Sequence, residues 1–159
     1  MITDADILVD IDKKDVSAEE IAERMFFVSV FTPFDFTRIR VRETAKGFHI
    51  YLWCADIKPT PVDKVVIQLV LGSDYRRELF NYLRVCGRET PRKWNVLFAT
   101  KYDGNGNKIS RERTTDKSIR LEEEIYALYH TLMEEGGESG GESDEESGGE
   151  SGEEGVRDD

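Results

Sequence analysis

Three short runs of this chain alternate apolar and polar residues with a period of two: residues 6 to 12 (D-I-L-V-D-I-D), 36 to 43 (F-T-R-I-R-V-R-E) and 48 to 53 (F-H-I-Y-L-W). That period sends successive side chains to opposite sides of an extended backbone. Each run therefore predicts a strand with one side for a core and the other for solvent or a ligand. Lys46-Gly47 supplies a tight turn between the second and third runs, which makes them a hairpin. Between the first and second runs the period changes. Ser17 followed by Glu20 has the form of a capping box, and Ile21, Met25 and Val28 continue a helical stripe until Pro33.

Thr60-Pro61 with Asp63 predicts a second helix start, continuing through the apolar run 65 to 71 and punctuated at Gly72; the apolar run alone also fits a strand. Tyr75, Leu79 and Leu83, spaced by four, mark a further amphipathic helical piece. Residues 94 to 102 predict a strand, closed by D-G-N-G-N at 103 to 107 into a hairpin with residues 108 to 113. Leu121, Ile125, Leu128 and Leu132 form the stripe of a last helix that should end before Gly136-Gly137. The order is β-α-β-β-α-β. It predicts an α+β, ferredoxin-like or RRM-like sandwich over residues 1–135, with an added C-terminal hairpin strand and helix. Residues 136–159, rich in Gly, Ser and Glu, cannot bury enough apolar surface to fold and predict a disordered acidic tail.

The formal net charge of −11 belongs largely to that tail. Residues 134 to 159 hold 12 of the 33 acids and one of the 22 bases, so residues 1 to 133 carry 21 of each. The folded part is neutral, and its charge has meaning only as a local pattern. Cys54 and Cys86 are far apart, with no secretory leader and no apolar run of membrane-spanning length, so reduced thiols, no membrane partner and a cytoplasmic location are expected.

In a ferredoxin-like arrangement both helices cover one sheet face and the first and third strands are neighbours. Ile7, Val9 and Ile11 should face the helices together with Phe48, Ile50 and Leu52, so Asp10 and Asp12, about 7 Å apart along the strand, share the other face with His49, Tyr51 and Trp53. Arg38, Arg40 and Arg42 join them from the second strand. Guanidinium groups neutralise phosphates, aromatic rings stack on bases, and paired carboxylates hold a divalent cation against a triphosphate. Such a face suits single-stranded nucleic acid or a nucleotide.

The run I-L-V-D-I-D ending the first strand, followed some forty residues later by R-E-T-A-K-G-F-H-I-Y-L, resembles the catalytic core of the archaeo-eukaryotic primase superfamily over roughly residues 5–54. The resemblance implies Asp10 and Asp12 as ligands of Mg or Mn and His49 as the catalytic histidine contacting the incoming nucleotide. It also implies a third acid on a strand after the second helix. The matching run W-N-V-L-F-A-T-K-Y has none until Asp103, and two carboxylates alone hold a two-metal site poorly, so binding during replication is expected ahead of catalysis.

Other readings of the same residues lead elsewhere. The arginines also suit an edge strand protected against strand addition. Tyr51 and Trp53 could lie under the C-terminal helix, and the sheet face or that helix could bind a protein partner. Gly72-Ser73-Asp74 before Arg76 and Arg77 reads as a capped helix break or as a phosphate site, and the basic loop 84 to 93 as a backbone-tracking or merely solvated loop. The acidic tail could compete with nucleic acid for the arginine face.

Overall fold

In a computed structural model, residues 2, 4–87, 94–97, 100–102 and 104–138 are described. The expected tail from 139 onward and most of the basic loop at 88–93 lie outside them. The elements are β1 (Ile7–Ile11), α1 (Ala18–Phe31), β2 (Phe36–Glu43), β3 (Phe48–Cys54), α2 (Pro61–Val70), α3 (Tyr75–Cys86), β4 (Thr100–Tyr102), β5 (Lys108–Arg111) and α4 (Asp116–Glu138). The molecule is α+β, with an antiparallel three-stranded sheet in the order β1-β3-β2 and a separate β4-β5 pair. Among the described residues no helix is long and apolar enough to cross a membrane.

The alternation places the core as expected. Ile7, Val9 and Ile11 pair in register with Leu52, Ile50 and Phe48, and Ile39 and Val41 with Leu52 and Ile50. This apolar face meets Ile21, Ala22, Met25 and Val28 of α1 and Leu121, Ile125 and Tyr129 of α4 in one buried cluster. Gly47 closes the β2–β3 hairpin against the end of β1. A Cβ there would lie 1.7 Å from the Ile11 carbonyl oxygen, so only glycine allows the approach.

Local chemistry explains the helix limits. Ser17 Oγ accepts from the Glu20 N–H at 3.2 Å. The Glu20 carboxylate accepts from Arg24 at 2.6 Å, so only this half of the expected capping box is seen. At α2 the box is complete: Thr60 Oγ1 accepts from the Asp63 N–H and Asp63 from the Thr60 N–H. That cap decides the ambiguous run 65 to 71 for helix. The last helix passes the expected stop at Gly136 and runs to Glu138. A Cβ on Gly136 would lie 2.9 Å from the Phe26 ring, so this glycine permits close packing of α4 on α1.

The sheet departs from the expected sandwich at its edges. No strand pairs with the outer edge of β1 among the described residues. Its exposed backbone groups bond to the α2–α3 region instead. The Leu8 N–H donates to Gln68 Oε1 (3.0 Å) and the Asp10 N–H to Ser73 Oγ (3.0 Å). The Leu8 carbonyl accepts from Arg77 (3.1 Å) and the Asp10 carbonyl from the Asp74 N–H (2.7 Å). At the outer edge of β2, Val41 donates to Glu122 (2.9 Å), Phe36 to the Tyr129 hydroxyl (3.2 Å), and Glu43 forms a two-way bridge with Arg113.

The strand expected from Trp94 begins only at Thr100, with residues 98 and 99 outside the described set. Asn95 takes a left-handed φ of 56°, which asparagine tolerates. Its side-chain oxygen accepts from Gln68 (2.8 Å) and Arg77 (2.9 Å), while its N–H donates to Asn81 (3.0 Å). These bonds hold residues 94–97 out of an extended ladder.

Candidate nucleic-acid interface

The sheet face turned away from α1 and α4 carries two side-chain rows set by strand register. Asp10, His49 and Arg42 are cross-strand partners in one row, Leu8, Tyr51 and Arg40 in the next, and Arg38 pairs with Trp53 beyond them. The expected parity thus brings Asp10, His49, Tyr51, Trp53 and the three arginines to one face. Asp12 is exposed just past the end of β1.

The face is not open at its centre, which corrects the expectation that His49 and Tyr51 stand free to meet a ligand. They are 3% and 2% exposed. The covering group is Glu112, which follows β5; the expected cover, α4, packs against α1 and β2 instead. The Glu43–Arg113 bridge holds this segment at the β2 edge, and the Glu112 carboxylate lies 2.7 Å from His49 Nδ1 and accepts from the Tyr51 hydroxyl. Its other oxygen is 4.0 Å from Arg42 Nε. On the far side of the ring, His49 Nε2 is 3.5 Å from Asp10 Oδ1. Both imidazole nitrogens therefore face carboxylates.

These contacts set the electrostatics. Burial pushes the Glu112 carboxyl up, but hydrogen bonds from His49 and Tyr51, with the charges of His49 and Arg42, outweigh it and hold the group below the ordinary glutamate range. Burial, then the bond to Glu112, pushes the Tyr51 hydroxyl far above the ordinary phenol range. Tyr51 remains a neutral donor. Burial, with Asp6 nearby, raises the Cys54 thiol to about 11, so it packs as an inert apolar group.

Two of the arginines have acidic neighbours within the fold. Arg40 pairs with Glu122 at 3.2 Å, and Arg42 approaches Glu112. Arg38 is exposed and its guanidinium stacks 4.4 Å above the half-buried Trp53 ring. Arg38 and Arg40 also line a cavity of about 280 Å³ closed from α4 by Glu122, Glu123 and Tyr126.

The metal implied by the primase resemblance meets a poor fit. Among the described residues no group of three or more His, Cys, Asp and Glu side chains could hold a metal ion. Asp10 faces His49, and the Glu112 oxygen nearest the ring already accepts two contacts. No step through a metal follows from this arrangement. The Gly72-Ser73-Asp74 turn does not present a free phosphate cradle either: Ser73 and the Asp74 N–H close the β1 edge, Asp74 caps Arg76, and Arg77 turns inward.

Glu112 is the site residue that sequence reasoning missed. It stands between Arg111 and Arg113, where a lone acid reads as solvated surface charge. The primase resemblance implies a third acid on the run 94 to 102, which ends ten residues before Glu112, so it did not point to this residue. Comparison with protein-family models, with curated proteins and with solved structures finds no match for this chain.

Proposed function

We propose that this chain is a nucleic-acid- or nucleotide-binding module of the replication type, related to a primase core and working in the cytoplasm by binding a single strand. On this reading β1, α1, β2 and β3 correspond to the first half of the ferredoxin-like sandwich. The helix pair α2–α3 and the β4–β5 pair stand in for the second half.

The observation that carries the proposal is the Arg38–Trp53 stack on the sheet face opposite α1 and α4. The Arg38 guanidinium, held flat by the indole beneath it, offers a phosphate contact and an outer plane on which a base can stack, contacts of the kind that sequence-tolerant single-strand binders use. The adjoining cavity, with Glu122 and Glu123 in its wall, suits a base or sugar edge better than a phosphate. Asp10, His49, Tyr51 and Glu112 hold the strands beneath in register and act as positioning residues.

A second reading, an active metal-dependent nucleotidyl transferase, is favoured by Glu112, a third carboxylate reaching the histidine from a segment after the second helix. Against it stands the poor fit to a metal.

Binding of a labelled single-stranded oligonucleotide, measured across a salt series, tests the proposal. Arg38→Ala should reduce the slope of log affinity against log salt by about one phosphate contact. Trp53→Ala, which removes the support of that guanidinium plane, should weaken binding by about 1–3 kcal/mol, the contribution of one stacked base. Absence of binding at low salt refutes the module. Manganese-dependent nucleotide incorporation abolished by Asp10→Ala with Asp12→Ala replaces it with the transferase.

A further inference from the structure

Helix α4 closes most of the outer edge of β2 but leaves one residue of it open. Successive residues of an antiparallel strand turn their backbone groups alternately to one neighbour and to the other side. Val41 and Glu43 face the outer edge, where Glu122 and the Arg113 carbonyl take their N–H groups. Ile39 lies two residues before Val41 with no register shift between them, so its N–H and C=O face the same way. Neither group bonds to another protein group among the described residues. Ile39 is 6% exposed, and a buried backbone donor and acceptor without partners are rare in a folded chain.

Ile39 lines the cavity of about 280 Å³ between β2 and α4, so the pair opens toward it. That volume lies near the lower end of the ~300–1,000 Å³ of small-ligand sites, room for one base. An added strand does not fit, because Glu122 at Val41 and the Tyr129 hydroxyl at Phe36 occupy the edge on both sides. The bonding groups have an order. Along β2 the Ile39 N–H comes first, its C=O next, and then the Val41 N–H that Glu122 holds. The acidic wall therefore stands at the carbonyl end. Both Glu122 oxygens are engaged, by Val41 and by Arg40. Glu123 beside it also lines the cavity, is exposed, and has no hydrogen bond or ion pair among the described residues. The cavity thus presents a donor, an acceptor and a carboxylate in that sequence.

We propose that this cavity binds a guanine base, an inference that rests on the nucleic-acid- or nucleotide-binding function proposed above. The Watson–Crick edge of guanine carries side by side its O6 oxygen, its N1–H and its 2-amino group, in the order acceptor, donor, donor. O6 accepts from the Ile39 N–H, N1–H donates to the Ile39 C=O, and the 2-amino group donates to Glu123 in a charge-assisted bond. No other standard base has that order. Adenine and cytosine bring a single amino group for the two acceptors, and thymine sets a carbonyl oxygen against the carboxylate. The acidic wall repels phosphate, which goes instead to Arg38 at the rim.

The test is a fluorescence-anisotropy titration of the full-length chain with labelled oligothymidylate strands carrying one central guanine or one central hypoxanthine, which is guanine without its 2-amino group. The guanine strand should bind about tenfold more tightly, the worth of one hydrogen bond to a charged group. Glu123→Ala should bring the ratio of the two affinities close to one. The ratio is the readout because loss of a negative charge strengthens both strands alike, and the exposed position keeps the variant folded. Equal affinities in the wild type overturn the inference and leave the single-strand module standing. A ratio that survives Glu123→Ala also overturns it. Failure of both strands to bind at low salt refutes the single-strand module, and mononucleotides then decide. Saturation by guanosine monophosphate but not by inosine monophosphate supports the guanine edge for a free nucleotide; saturation by neither overturns it.

Discussion

Replacing Glu112 tests whether the centre of the sheet face is organised by one carboxylate. The Glu112 side chain is only 7% exposed, lies 2.7 Å from His49 Nδ1 and accepts from the Tyr51 hydroxyl. Hydrogen bonds to a charged group contribute about 1.5–3 kcal/mol each. Glu112→Ala removes both and leaves the Tyr51 hydroxyl and a His49 nitrogen buried without that partner. The cost should be about 4 kcal/mol, against a total domain stability of ~5–15 kcal/mol. Glu112→Gln keeps the shape and one carbonyl acceptor, so about 2 kcal/mol is expected. Urea unfolding followed by tryptophan fluorescence measures both. The pH dependence gives an independent check. The Glu112 carboxyl titrates lower in the fold than an ordinary glutamate, because bonds from His49 and Tyr51 outweigh burial. A carboxyl with a depressed folded pKa contributes stability that is fully present above its unfolded value and is lost as pH falls through its folded one. The gap between wild type and Glu112→Gln should be full above about pH 5 and narrow below about pH 4. An Ala variant within about 1 kcal/mol of wild type at neutral pH refutes the reasoning, and so does a gap that grows on acidification.

Two further outcomes follow from close contacts. Gln68 bonds the Leu8 N–H at 3.0 Å and Glu78 and Asn95 at 2.8 Å each while fully buried, so Gln68→Leu, of similar volume, should cost about 4 kcal/mol and lower the melting midpoint by roughly 15 °C; a drop under a few degrees would show that the β1 edge does not depend on it. Gly47→Ala puts a methyl 1.7 Å from the Ile11 carbonyl and should cost about 3 kcal/mol by the same assay, with neutrality meaning that the hairpin turn moves freely.

What the sequence made legible is what depends on period alone. Alternation assigned Ile7, Val9 and Ile11 to the core and Asp10 to the other side, and pairing with β3 then aligned Asp10 with His49 and Arg42. Thr60 and Asp63, three apart, were enough to favour helix at α2. The remainder depends on distant partners. Tyr51 and Arg40 looked available because nothing near them in sequence announces Glu112 or Glu122, which arrive from 61 and 82 residues away. Asn95 sits in a run that reads as a strand, yet three polar side chains from α2 and α3 take its side-chain oxygen. Buried acids and amides such as Glu78, Asn81 and Gln68 carry no local mark of burial, since they are polar residues that ordinarily face water.

The outward apolar face of α3 and the unpaired edge of β1 have one cause. Four backbone groups at that edge, the N–H and C=O of Leu8 and Asp10, are bonded by Gln68, Ser73, Asp74 and Arg77. Arg77 can reach inward only if its turn of α3 faces the sheet, and Glu78 beside it must then be buried, where Gln68, Ser73, Arg77 and Asn81 bond it. Leaving a buried carboxylate without such partners would cost several kcal/mol. With the polar side of α3 committed inward, a helix of this amphipathicity has no choice but to turn Leu79 and Leu83 outward. A strand paired with β1 would have satisfied the same four groups by backbone alone and freed α3 to bury its leucines. Closing the sheet with side chains thus relocates apolar surface to the exterior.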